Sequence, residues 1–215
     1  MRYVGMPMGM WMLFQNSFRD NLTDVLKYSE KEAAEIAGKA KKGYKRIVSG
    51  LPEYEKKDRF KMNILSCAML CAFILNLKEK TTVKQMSEYY ESAMMTETMK
   101  WFCRKMGKRK FTDADIKGMK QTAAFKAADR NPYSWNMDFF PYEDGSGYEA
   151  RFYKCGICTL MKELGLSEYT PAMCHLDYAM SDAGGTSDFI REYTLASGGP
   201  YCDCGYRKKH KHSRI

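Results

Sequence analysis

The sequence predicts an α+β protein in which a helical N-terminal layer packs on a small C-terminal antiparallel sheet with two short helices. Three observations predict it. Up to residue 130, apolar residues recur at three- and four-residue spacing between recognisable helix starts and stops. At Asn131-Pro132 the composition turns to aromatic residues, glycine and proline. Beyond that point, short alternating stretches are separated by the turn signals Asp144-Gly145-Ser146-Gly147 and Ser197-Gly198-Gly199-Pro200. The expected organisation is a helical region over 1–130, an α+β region over 131–207 and a basic tail over 208–215, with the first two forming one integrated domain. A chain of 215 residues is long enough to bury an ordinary core.

Residues 8 to 27 place Met12, Phe18, Leu22 and Leu26 near helical spacing, with Arg19, Asp20 and Asp24 opposite. Ser29-Glu30-Lys31-Glu32 has the form of a capping box and opens a second helix to about Val48, stopped by Gly50 and Pro52. Asp58 is read as the cap of a third helix that is apolar nearly all round from Ile64 to Leu77, so other elements must cover it on most sides. A fourth helix is expected from Thr82 to about Met106, ended by Gly107. The basic turn Lys108-Arg109-Lys110 follows, and Thr112 with Asp115 begins a fifth helix through Ala128.

After the boundary, Tyr133 to Phe140 reads as an irregular segment or a strand, Tyr148 to Tyr153 as a strand, and Gly156 to Leu164 as a short helix. Thr170-Pro171 has the pattern of an N-cap followed by proline in the first turn, which predicts a helix from Ala172 to Met180 and sets Cys174 near its start. Phe189 to Ala196 is expected to be a strand, returning antiparallel as Tyr201 to Arg207. Strand alternation puts Cys202 and Cys204 on one face and Asp203 on the other.

Composition excludes several classes. The net charge of +9 raises nucleic acid as a partner, because clustered Lys and Arg gain affinity by releasing counterions from phosphates. Arg207, Lys208, Lys209, Lys211 and Arg214 concentrate five of those charges at the terminus, however, so the body is ordinary and no nucleic acid is expected. The longest apolar run, Ile64 to Leu77, contains Ser66 and Asn76 and falls short of the ~20 residues needed to cross a bilayer, so no membrane partner is expected. Met6, Met8, Met10 and Met12 have no His or Cys nearby and read as packing thioethers rather than a copper site. The eight cysteines sit in a large chain whose start lacks the pattern of a secretory signal, and Cys67 and Cys71 lie inside an apolar helix. Reduced thiols and a cytoplasmic location are the expectation.

Five of those cysteines fall between Arg151 and Lys208. Cys155 follows a strand, Cys174-His175-Leu176-Asp177 lies on a helix, Arg191 to Gly199 reads REYTLASGG, and Cys202-Asp203 closes the hairpin. This arrangement resembles the L-2-amino-thiazoline-4-carboxylic acid hydrolase family, and the helical first half with Leu51-Pro52 is similar too. The closing motif departs from the expected Cys-Asp-Phe, since it reads Cys202-Asp203-Cys204 here.

The resemblance implies hydrolytic opening of a cyclic isothiourea to an N-carbamoyl-cysteine-type product, with a small molecule as substrate and no cofactor. Such a reaction needs a nucleophile or activated water, a proton-handling group and a cation for the substrate carboxylate. Cys174 is the candidate nucleophile, Asp177 or Asp203 the base, and Arg191 the carboxylate ligand, with Cys202 and Cys155 lining the pocket. Each also has a structural reading: Cys174 as a core residue, Asp177 and Arg191 as an ion pair, and Asp203 as a turn closure. The rival functional reading takes Cys155, Cys158, Cys174, Cys202 and Cys204 as thiolates for zinc or an iron-sulfur cluster, in a sensor module resembling vinyl-reductase-like (4VR) domains.

Overall fold

The structure, a computed structural model, describes residues 7–209. Met6 and the tail from His210 onward, on which the charge and copper readings partly rest, lie outside the described residues. Among the described residues, eight α-helices and four strands follow in the order α1 (Pro7–Asp24), α2 (Glu30–Gly50), α3 (Lys61–Ile74), α4 (Val83–Met94), α5 (Glu97–Gly107), α6 (Asp113–Ala127), β1 (Asn136–Pro141), β2 (Gly147–Lys154), α7 (Gly156–Glu163), α8 (Thr170–Gly184), β3 (Ser187–Ile190) and β4 (Cys202–Lys208). The architecture is α+β, with one antiparallel sheet ordered β1-β2-β4-β3.

The chain packs as two compact units. The first comprises residues up to 96, 130–134 and 155–176; the second comprises 97–129, 135–154 and 177 onward. This division differs from the expected split near residue 130. Its cause is packing: α6 lies on β1, within the second unit, while α7 lies on α3, within the first.

In the first unit α3 is buried from Ile64 to Ile74 along every face, as its unbroken apolar sequence requires. Trp11 stacks on Phe73 with ring centroids 5.7 Å apart, and Phe18 meets Phe73 and Tyr89 at 5.0 and 5.7 Å. The buried Tyr89 hydroxyl donates to the Phe18 carbonyl, so the aromatic core carries no orphaned phenol at that position. The Ser29 capping box is present, with Glu32 reaching back to the Ser29 backbone N–H. Thr82 and Gln85 form a second box at the start of α4.

Four local expectations are corrected. The helix expected from Thr82 to Met106 is two helices, because Met95 leaves helical geometry at φ −84°, ψ 48°. The stripe of Met86, Tyr89, Tyr90 and Met94 serves the first unit and α5 the second, so the chain changes partners there. Asp58 accepts from the Phe60 N–H, one turn before α3 rather than at its cap. Thr170 is already helical at φ −56°, ψ −39°, because a 3₁₀ turn over Ser167–Tyr169 runs straight into α8. Cys174 is therefore the fifth residue of α8, past the first turn where backbone N–H groups favour a thiolate.

The strand expected from Phe189 to Ala196 stops at Ile190. Beyond it the backbone donors turn to side chains: Glu192 and Tyr193 donate to the Asp203 carboxylate at 2.9 and 2.6 Å, and Thr194 caps a 3₁₀ turn over Leu195–Ser197. A strand whose N–H groups are captured this way cannot continue a ladder.

Candidate functional site

Within the second unit, β4 supplies the floor of a compact polar cluster. Its alternation buries Cys202 and Cys204 and leaves Asp203 half-buried, as the strand period demands. Arg191 follows β3 directly. Its Nη2 donates to Asp177 Oδ2 at 2.5 Å and to Cys204 Sγ at 3.0 Å, and its guanidinium carbon lies 4.6 Å from the centre of the Phe189 ring. The Arg191 side chain is 5% exposed, whereas that of Asp177 is 42% exposed. A buried cation thus holds a carboxylate that still has an open edge.

The electrostatics follow from this placement. Surrounding protein raises the Asp177 carboxyl above the ordinary carboxylate range, with Arg191 and Lys110 pulling it back down. Burial pushes the Cys204 thiol up to about 12, against the pull of Arg191, so it stays protonated at neutral pH. Burial works against the charge of Arg191, yet Asp177 and Cys204 outweigh it and its proton is held more tightly than usual. Lys110 stands on the same cluster with Nζ 3.1 Å above the Tyr206 ring, and burial lowers it to about 8 despite Asp115, Asp177 and Cys204.

The candidates from sequence divide accordingly. Asp177 and Arg191 meet, forming the ion pair just described. Asp203 lies on the other face of β4 and holds the Glu192 and Tyr193 N–H groups. Cys202 Sγ accepts from the Leu195 N–H at 3.2 Å and so secures the same loop. Cys174 and Cys155 belong to the first unit, both half-buried, with Cys155 at the N-cap of α7. There Cys155 and Cys158 act on Cys67, whose thiol is raised chiefly by burial and by Cys71, 3.9 Å away.

All eight cysteines are thiols without a disulfide. The metal alternative required several of Cys155, Cys158, Cys174, Cys202 and Cys204 to converge. Among the described residues no group of three or more His, Cys, Asp or Glu side chains is arranged to hold an ion. Nor is any helix among them long and apolar enough to cross a membrane.

Sequence reading missed Lys110 as a site residue and saw Cys204 as part of the wall strand or as a possible metal ligand. The available signal was the basic turn before Phe111, which marked a turn without showing what it faces. Asp203 yields a prediction: Asp203→Ala removes two hydrogen bonds to a charged acceptor and should destabilise the protein by about 1–2 kcal/mol in urea unfolding. Unchanged stability would mean that the loop after β3 does not depend on it.

A profile of the L-2-amino-thiazoline-4-carboxylic acid hydrolase family matches residues 62–206, about two thirds of the chain and the whole of this cluster. No curated protein and no solved structure matches.

Proposed function

The chain belongs to the L-2-amino-thiazoline-4-carboxylic acid hydrolase family, and we propose that it opens a cyclic isothiourea amino acid of that type by adding water at the amidine carbon beside Asp177. The observation that carries this reading is the carboxylate of Asp177, gripped by the buried Arg191 yet open on one side.

A 2-amino-thiazoline presents a planar array of N–H donors around the amidine carbon, and an ionised carboxylate is the natural acceptor for it. The same carboxyl, raised by its surroundings, is a better base than an ordinary aspartate and takes a proton from the attacking water. Addition of hydroxide to the carbon gives a tetrahedral centre. Its collapse breaks the C–S bond and leaves the N-carbamoyl group on the amine and a thiol at the former ring sulfur.

Arg191 acts here as a positioning residue. Its Nη2 is committed to Asp177 and Cys204, so its role is to orient Asp177 and keep it ionised rather than to seat the substrate carboxylate by a bidentate fork. Asp203 and Cys202, bound to the loop backbone, hold Glu192 to Leu195 in place beside Arg191. The route does not pass through Cys174, which lies beyond the first turn of its helix.

Purified protein incubated with the thiazoline acid is expected to release one thiol per substrate, with N-carbamoyl-cysteine identified by mass spectrometry. Cys174→Ala should retain turnover within a few-fold. Loss of turnover in Cys174→Ala, with a mass increment of a covalent adduct on Cys174 in the native chain, would replace water by a cysteine nucleophile. Absence of product from the native protein would refute the hydrolase reading.

A further inference from the structure

Lys110 is placed by a turn that the backbone forms at some strain. Phe111, a bulky residue, sits at φ 65°, in the left-handed region that such side chains rarely occupy. Several contacts hold it there. The Phe111 N–H donates to Asp115 Oδ2 at 2.9 Å, the Tyr148 hydroxyl donates to the same oxygen at 3.0 Å, and the Phe111 ring packs against Tyr148 at 5.3 Å. Upstream, the Lys110 N–H donates to the Gly107 carbonyl, and Thr186 Oγ1 donates to that carbonyl from the other side. The outcome of this arrangement is that Lys110 extends over Tyr206 instead of into water.

The groups that face Lys110 come from every element around it: Asp115 of α6, Asp177 of α8, and Cys204 and Tyr206 of β4, with Arg191 across Asp177. A lysine kept only to pack on an aromatic ring has its ammonium in water. This one is held where its charge is disfavoured, its pKa falling to about 8. A methionine would fill the same space without that cost, so the amine itself calls for a chemical explanation.

Resting on the hydrolase reading above, we propose that Lys110 is the proton donor to the ring sulfur as the C–S bond breaks. The step balances. Water gives a proton to Asp177 and its hydroxide to the amidine carbon; the hydroxyl proton passes to the ring nitrogen as the C=O forms; the C–S electron pair moves to sulfur; the Lys110 ammonium protonates that sulfur. Asp177 then returns its proton to the Lys110 amine through solvent, and the net change is substrate plus water to N-carbamoyl thiol. A leaving thiol with a pKa of about 8.5 is matched by a donor near 8, where proton transfer at neutral pH is most efficient.

The test compares kcat/KM across pH for the native protein, Lys110→Met and Lys110→Arg on two substrates: the thiazoline acid and its oxazoline analogue, in which oxygen replaces the ring sulfur. Native activity should fall above pH about 8, and this limb should vanish in Lys110→Met. Lys110→Met should lose on the order of 100-fold on the sulfur ring and more on the oxygen ring, whose alkoxide needs the proton more. Lys110→Arg keeps the charge over Tyr206 but gives up no proton in this range, so it should not restore activity. Lys110→Met should melt no lower than the native protein, which separates lost chemistry from lost folding.

Equal losses on both rings, a retained alkaline limb in Lys110→Met, or full rescue by arginine would each overturn the assignment. If the native protein opens neither ring, the hydrolase reading itself fails. If the native protein turns over and Lys110→Met matches it, only the role of Lys110 fails.

Discussion

Arg191→Met is expected to lower stability at pH 7 by about 2–3 kcal/mol and to abolish measurable turnover. The guanidinium is 5% exposed and donates to both Asp177 and Cys204, so its removal leaves a carboxylate with its nearest cation gone. The figure lies below the usual cost of breaking a fully buried pair because Asp177 keeps 42% of its side chain open and water screens part of the orphaned charge. The deficit has a predictable pH dependence. The Asp177 carboxyl is already raised in the folded state by burial, and loss of Arg191 raises it further. A folded carboxyl that binds protons more tightly than the unfolded one contributes stability at low pH, which is lost as pH rises through the folded value. The variant should therefore approach the native protein in stability as the solution is acidified below neutrality, which chemical denaturation at several pH values will measure. A deficit that grows on acidification would contradict the assigned direction of the shift.

Gly107→Ala should have the second large effect. A Cβ at this position would lie 2.3 Å from the Gly184 carbonyl oxygen and 3.1 Å from the Gly184 Cα, both backbone atoms that no side-chain rotation can move away. Relief requires the end of α5 to separate from the end of α8, with an overpacking cost of about 1–3 kcal/mol. The same shift displaces the Gly107 carbonyl, which accepts from Lys110 N and Thr186 Oγ1, and so disturbs the turn that aims Lys110. Stability and turnover should fall together. Gly118→Ala is the control, since a Cβ there meets nothing within 4 Å and replaces glycine inside α6; it should be neutral or mildly stabilising.

Much of this architecture was legible in the chain because local chemistry and tertiary use agree. The Ser29-x-x-Glu32 box, the uniformly apolar α3 and the Asp144-Gly145 turn each have one low-energy reading, and each is used that way. Errors arose where long-range partners decide. Nothing within Thr82 to Met106 announces that its two halves serve different units, so a continuous helix was the natural reading. Thr170-Pro171 has every local mark of a helix start, but the 3₁₀ turn before it already supplies the helical backbone. Phe189 to Ala196 has strand composition, and only Asp203, more than ten residues away from Glu192 in sequence, takes the donors that a ladder would need.

The cluster shows the same pattern. Asp177 and Arg191 stand among the motif residues, and they meet because the part of α8 from Asp177 onward shares the second unit with β3 and β4. Lys110 stands in an unremarkable basic turn, 67 residues before Asp177, and becomes chemically distinctive only once the left-handed Phe111 directs it over Tyr206. Asp203 was indistinguishable from Asp177 as a base until the backbone N–H groups of Glu192 and Tyr193 were placed on its two oxygens.

The most direct measurement of the central claim is thiol release from the thiazoline acid by Asp177→Asn. Asparagine preserves the shape of the side chain and a hydrogen bond to Arg191 but cannot take a proton from water. The account predicts a fall in kcat of roughly 100-fold or more, with KM changed less and the fold intact by circular dichroism. Turnover by Asp177→Asn within a few-fold of the native protein would contradict it and move the reaction centre away from the Asp177–Arg191 pair.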